Sequence, residues 1–199
     1  MNFKNKINTK YSIISSGVFK PETLKWMDNF FDDTNIHRYY EAKRKASPQV
    51  IEELKPFRPR SSVTVYRGLY WPSEKDYELA PNKMTSTVPA AGDVITYKDN
   101  YFSSWATSYE AAHGYAKSAD PDGLHIVMRM EVSPKSVLLD TDQISQEVLD
   151  LFHYKTGTFK ESREIVVHPG SYKTTVCSVD WTDKDGEWQD DSLPEYDDY

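Results

Sequence analysis

Residues 156–172 read TGTFKESREIVVHPGSY. A Gly-bearing polar loop runs into the apolar segment Glu164-Ile165-Val166-Val167, and Pro169-Gly170 closes it. Three consecutive β-branched residues bounded by turn formers predict a short, buried strand. Two carboxylates, Glu161 and Glu164, flank its mouth. Charge is costly next to a buried segment unless it is paired or has a chemical task. One of the two is therefore a candidate for chemistry.

Working outward, residues 163–170 and 172–181 read as the last strands. Upstream, 124–132 (LHIVMRMEV) and 136–141 (SVLLDT) read as strands, and 141–153 as a helix with a capping start. Residues 108–119 (SYEAAHGYAKSA) predict a helix with Ser108 as N-cap. Residues 93–97 and 101–105 predict short strands around a Lys98-Asp99-Asn100 turn, and 61–71 (SSVTVYRGLYW) a longer one. The polar, Pro-bearing stretch 72–92 reads as a long loop. The first sixty residues are helical in pattern: Leu24, Met27, Phe30 and Phe31 fall at helical spacing after Pro21, and two further helices, 35–46 and 47–57, break at Ser47-Pro48. Helices first, then strands with helices inserted, give an α+β fold with mostly antiparallel strands. No G-x-G-x-x-G follows a strand, which argues against a Rossmann nucleotide site. No internal repeat is visible.

The 199 residues suffice for one domain, and 1–182 read as that domain. Mean hydropathy is −0.70, with no apolar run of membrane-spanning length and no signal-peptide pattern. One cysteine, Cys177, rules out an internal disulfide, and the five histidines lack metal-ligand spacing. A cytoplasmic, metal-free protein is the expectation. The net charge of −7 is concentrated in the tail: residues 180–199 hold nine acids and one lysine. Residues 183–199 therefore read as an acidic, disordered tail. The first sixty residues carry twelve Lys/Arg against seven acids. Their stretch RYYEAKRKA fits an exposed helix face, or a contact with nucleic acid. Aromatic content is 14%, more than a core needs if a site stacks flat rings.

Three short stretches carry chemistry-bearing residues. In VYRG, Arg67 ends an apolar strand beside Gly68. An arginine fork can hold phosphate, and a glycine lets a ligand approach the backbone. An exposed strand end fits it as well. In YFSSWATSYEAAHGYA, hydroxyls run into a helix of small residues, which suits either a capped turn or hydroxyls partnering a carboxylate. The third stretch is ESREIVVHPG itself.

In this order and spacing the trio resembles the arginine, Ser-Thr-Ser and Glu-x-Glu motifs of mono-ADP-ribosyltransferases of the arginine-motif (cholera-toxin-like) class, which includes bacterial toxins and phage-encoded enzymes. The matching motifs span residues 63–172. The resemblance implies a split, mostly antiparallel β-sandwich, to which the N-terminal helices read from the apolar spacing are added. It implies NAD as substrate, no metal, and cleavage of the nicotinamide–ribose bond through a cation-like transition state. It aligns Glu164, not Glu161, with the catalytic carboxylate. Arg67 aligns with the phosphate-binding arginine, Gly68 with the backbone facing the nicotinamide amide, and Ser104 with the serine that supports the carboxylate. Tyr101, Phe102 or Tyr115 would stack on nicotinamide. Phe159, Glu161 and Ser162 fall in the acceptor-recognition loop.

Two positions depart from the family pattern: Ala106 in the hydroxyl motif, and Ser162 two before the catalytic glutamate, where arginine-modifying relatives carry Glu. A neutral residue there implies a non-arginine acceptor, RNA, DNA or protein. The resemblance implies a toxin or effector acting in the cytoplasm of a bacterial host cell, with an antitoxin or other regulatory protein as a possible partner. NAD hydrolysis and non-catalytic partner binding are the rival readings of the same residues.

Overall fold

The computed structural model describes residues 19–31, 36–71, 89–119, 124–145, 148–149, 163–182 and 188–196. Residues 72–88, where a long loop is expected, most of 146–162 including Phe159, Glu161 and Ser162, and 183–187 and 197–199 of the tail lie outside the described residues.

The architecture is α+β, with a large, wholly antiparallel sheet. Three helices come first: α1 (Pro21–Phe31), α2 (Ile36–Arg44) and α3 (Pro48–Leu54). In α1, Leu24, Met27 and Phe30 are buried as their spacing predicts, joined by Thr23 and Trp26. Ser47 caps α3 by accepting from the Val50 N–H, with Pro48 at the first position, so the expected break is there. The strands are β1 (Val63–Trp71), β2 (Val94–Asp99), β3 (Ser103–Ala106), β4 (Leu124–Val132), β5 (Val137–Asp140), β6 (Glu164–Val167), β7 (Gly170–Thr182) and β8 (Trp188–Ser192). Helix α4 (Tyr109–Ala119) follows β3, capped by Ser108 through the Ala111 N–H.

The strand order is β2-β7-β4-β1-β3-β6-β5, with β8 added to β7. Its weak point is the centre. β1 pairs with β4 over nine residues but with β3 only at Tyr66↔Ala106. The sheet is thus two halves hinged at one pair. One apolar cluster is shared between them: Val65, Ile126, Met128 and Val176 from one half meet Trp105, Ile165 and Val167 from the other. Strand alternation sends the neighbouring residues outward. Val166 packs with Phe102 and the N-terminal helices, and Val127 and Cys177 pack with α4. The run Glu164–Val167 is apolar after its first residue because both its faces are covered.

Three expectations change. Strands β2 and β3 do not pair with each other; β2 runs on through Lys98 and Asp99 and pairs with β7, while β3 pairs with β6. The helix expected from residue 141 begins instead as a 3-10 turn, Thr141–Gln143, capped by Asp140 through the Asp142 N–H at 3.1 Å. The described part of the tail, residues 188–196, is packed onto the sheet rather than hanging from it. Residues 188–192 pair with Thr182–Ser178 of β7, covering backbone that would otherwise stand open beyond β2. Tyr196 is 7% exposed and stacks on Tyr109 at 4.5 Å. Part of the acidity is spent locally: Glu195 pairs with Arg129 at 2.8 Å, and Asp191 accepts from the Ala91 N–H at 2.9 Å. Among the described residues, no helix is long and apolar enough to cross a membrane.

Candidate active site

Beside the β1–β3 seam the two halves diverge, and a cavity of about 270 Å³ opens there. Glu164 opens β6 at 4% exposure. Its position is set on both sides. Its own N–H donates to Thr141 Oγ1 at 2.9 Å. The preceding Arg163 forks onto Asp140, Nε–Oδ1 at 3.0 Å and Nη2–Oδ2 at 2.5 Å, and reaches Asp142 at 3.2 Å. With the Arg163 side chain held there, strand alternation sends Glu164 to the opposite face, into the cavity.

Ser104 reaches the same face from β3. The register pairs Ala106 with Glu164 and Ser104 with Val166, so the serine lies diagonally across from the carboxyl. Trp105 points the other way, and its indole donates to Ser103 Oγ at 3.0 Å. Tyr115 comes from α4 and also lines the cavity. Burial raises the Glu164 pKa to about 8, and the Ser104 hydroxyl, the Lys43 charge and the Tyr115 hydroxyl only partly oppose it. Oε2 is buried without a partner in hydrogen-bond geometry. A carboxyl in this state is neutral near pH 7 and ionises readily once a cationic ligand sits beside it.

Arg67 enters from β1 on the face shared with Val65 and Leu69. Its Nη1 donates to Asp99 Oδ2 at 3.1 Å, and its guanidinium lies 5.6 Å from the Tyr97 ring and 5.7 Å from the Trp105 ring. Asp99 is itself held by the Tyr97 hydroxyl and the Tyr101 N–H. The fork is thus aimed by a counter-ion and two rings, with donors left over for a ligand.

Gly68 also lines the cavity, and the structure supplies a second reason for it. An added Cβ would stand 1.8 Å from the Ala112 carbonyl oxygen. Helix α4 packs directly on β1 there, fastened by Tyr109 donating to Ser178 at 2.8 Å and by His113 against Asp180. The glycine is required by the helix that carries Tyr115.

Of the residues singled out from sequence, Arg67, Gly68, Ser104, Tyr115 and Glu164 meet in this cavity. Tyr101 and Phe102 do not. Phe102 is 5% exposed in the helical core, edge-on to Trp26 at 6.0 Å, and Tyr101 sits under the Arg44 guanidinium. β3 begins after them, so they precede the strand that faces the site. The sequence reading missed the wall built by the first helices: Phe30 and Phe31 of α1, and Tyr39 and Lys43 of α2. The mixed aromatic and basic stretch RYYEAKRKA was the signal for Tyr39 and Lys43. Among the described residues, no group of three or more His, Cys, Asp or Glu is placed to hold a metal ion.

No protein-family model, curated protein or solved structure matches this chain.

Proposed function

We propose that the protein is an NAD-dependent mono-ADP-ribosyltransferase of the arginine-motif class, built on that class's split β-sandwich, and that it passes ADP-ribose to a macromolecule other than through arginine. The observation that carries this reading is the meeting of Arg67, Ser104 and Glu164, from three strands far apart in sequence, in one cavity at the seam of the sheet. A metal-independent glycosyl transfer needs little more: a carboxylate for the developing cation, a hydroxyl to steady it and a fork for phosphate.

The bond between the nicotinamide nitrogen and ribose C1′ breaks, and its electron pair returns to the ring, which leaves neutral. Positive charge grows on the ribose. Glu164, ionised by the bound nicotinamide cation, stabilises that charge and accepts a hydrogen bond from the 2′-hydroxyl. The acceptor then bonds to C1′ through its lone pair and passes its proton to water. Arg67 holds a phosphate of the pyrophosphate, and Tyr115 supplies a ring beside the nicotinamide. At about 270 Å³ the cavity suits the nicotinamide riboside part, with the adenosine end lying outside. The neutral Ser162 favours an acceptor that brings its own nucleophile: an amide, a hydroxyl or the exocyclic amine of a base. Such an activity suits a toxin or effector, held in check by a regulatory protein.

The test is NAD labelled in its adenosine part, added to a cell lysate and followed by nuclease or protease digestion, beside separate reactions with agmatine, RNA and single-stranded DNA. Label on RNA, DNA or protein but not on agmatine is the expected result. Robust agmatine labelling would refute the acceptor reading. Nicotinamide release without transfer would make the protein an NAD hydrolase. No release at all would leave only partner binding.

A further inference from the structure

We infer that Lys43, on helix α2 of the N-terminal layer, is a positioning residue of this site, whose charge draws Glu164 toward its ionised form. The helices are then part of the machinery as well as a support for the sheet. This deepens the reading above and takes its catalytic meaning from it.

Lys43 and Glu164 line the same cavity although 120 residues lie between them. The end of α2 is fixed to what surrounds it. The Trp26 indole N–H donates to the carbonyls of Ala42 and Lys45, each at 3.1 Å. The Phe102 N–H donates to the Lys43 carbonyl at 2.8 Å. Phe102 stands two residues before Ser104, so this bond registers Lys43 against the strand that faces Glu164. Ala42 is buried beside it. The lysine stem therefore leaves a fixed point, and its ammonium lies 4.4 Å above the Tyr39 ring at the cavity wall.

The other groups around Glu164 do not do this task. From β1, Arg67 faces the cavity, but its charge is met by Asp99 at 3.1 Å. From β3 comes the Ser104 hydroxyl, and from α4 and α2 come the phenol rings of Tyr115 and Tyr39. On its own strand side, Arg163 is turned away to Asp140 and Asp142. Lys43 is the remaining cation among the described lining residues, and its charge favours the carboxylate against burial. A lysine suits the task, because a compact charge on a flexible stem can follow the carboxylate as a ligand enters.

The test needs no turnover. Unfolding free energy is measured against pH for the parent, Lys43→Met and Lys43→Arg, each with and without Glu164→Gln. The upper midpoint of each paired difference reports the carboxyl in the folded protein. Lys43→Met, which keeps the stem and loses the charge, should move that midpoint up by about one pH unit, and Lys43→Arg should restore it. At subsaturating NAD, nicotinamide release by Lys43→Met should then be about tenfold slower at pH 7 and rejoin the parent above pH 9. If Lys43→Met melts too early to measure, Lys43→Gln gives the same readout. An unmoved midpoint overturns the inference, even if NAD binding weakens, because Lys43 would then be a phosphate contact. A moved midpoint with no nicotinamide release from any form, the parent included, upholds the coupling and removes the transferase reading instead.

Discussion

Replacing Glu164 with glutamine removes a charge that burial opposes and that the proposed chemistry needs. The carboxyl's pKa rises from an ordinary 4.5 to about 8 in the folded protein. The folded state therefore binds this proton more tightly than the unfolded chain does. As far as this group is concerned, stability is fully present below pH 4.5, falls as pH rises to about 8 and is level above. At about 1.4 kcal/mol per pH unit, the full loss has an upper bound of about 5 kcal/mol. Relaxation of the site around the carboxylate brings it to roughly half that. Glutamine is nearly the same shape and cannot ionise, so its curve lacks the slope. Calorimetry from pH 5 to 9 should find Glu164→Gln within a few degrees of the parent at pH 5 and roughly 5–10 °C higher in Tm at pH 9. NAD cleavage should fall by roughly 10²–10³ in the same variant, and far less in Glu161→Gln. In the parent, kcat/KM should climb with pH to a plateau above pH 8. The kcat curve should level off earlier, because the bound cation favours the carboxylate. Parallel pH–stability curves for parent and variant would refute the burial argument, and an unchanged rate would remove Glu164 from the chemistry.

Gly68→Ala sets a Cβ 1.8 Å from the Ala112 carbonyl oxygen, so α4 has to shift as a body; urea unfolding should show a loss of about 3 kcal/mol or more. Tyr196→Ala removes the ring stacked on Tyr109 and the hydroxyl that accepts from Arg129 at 3.0 Å, and should cost about 3 kcal/mol by the same measurement. Arg67→Lys keeps a charge for Asp99 but loses the planar fork, so calorimetry should report NAD binding weaker by roughly tenfold with Tm within a few degrees of the parent.

The strands were legible because their signal is local. Alternation in 63–71, the apolar run 164–167 and the Pro-Gly stop are read from neighbours alone. Helices α1, α3 and α4 were legible in the same way, from apolar spacing and from caps at Ser47 and Ser108. The tail misled because composition reports average solubility. Leu193 and Tyr196 stand among acids, yet they pack with Cys177, and the Tyr66 and Tyr196 hydroxyls meet at 3.3 Å across 130 positions of sequence. Phe102 misled for a related reason: the start of β3 decides which residues face the site, and no local pattern marks that start within a residue or two.

By itself, then, the sequence determined the α+β class, most elements, and Arg67, Ser104 and Glu164 as the residues to watch. Only the tertiary structure decided what stands around them: the one-pair seam that opens the cavity, Asp99 as the partner of Arg67, α4 pressed onto Gly68, and Lys43 in the same cavity as Glu164. The reason is range. Hydrogen bonding and apolar periodicity act within a few residues and are written in the chain order. Burial, and the charge felt by a buried carboxyl, depend on whichever distant segments pack around it, and those are known only once the chain has folded.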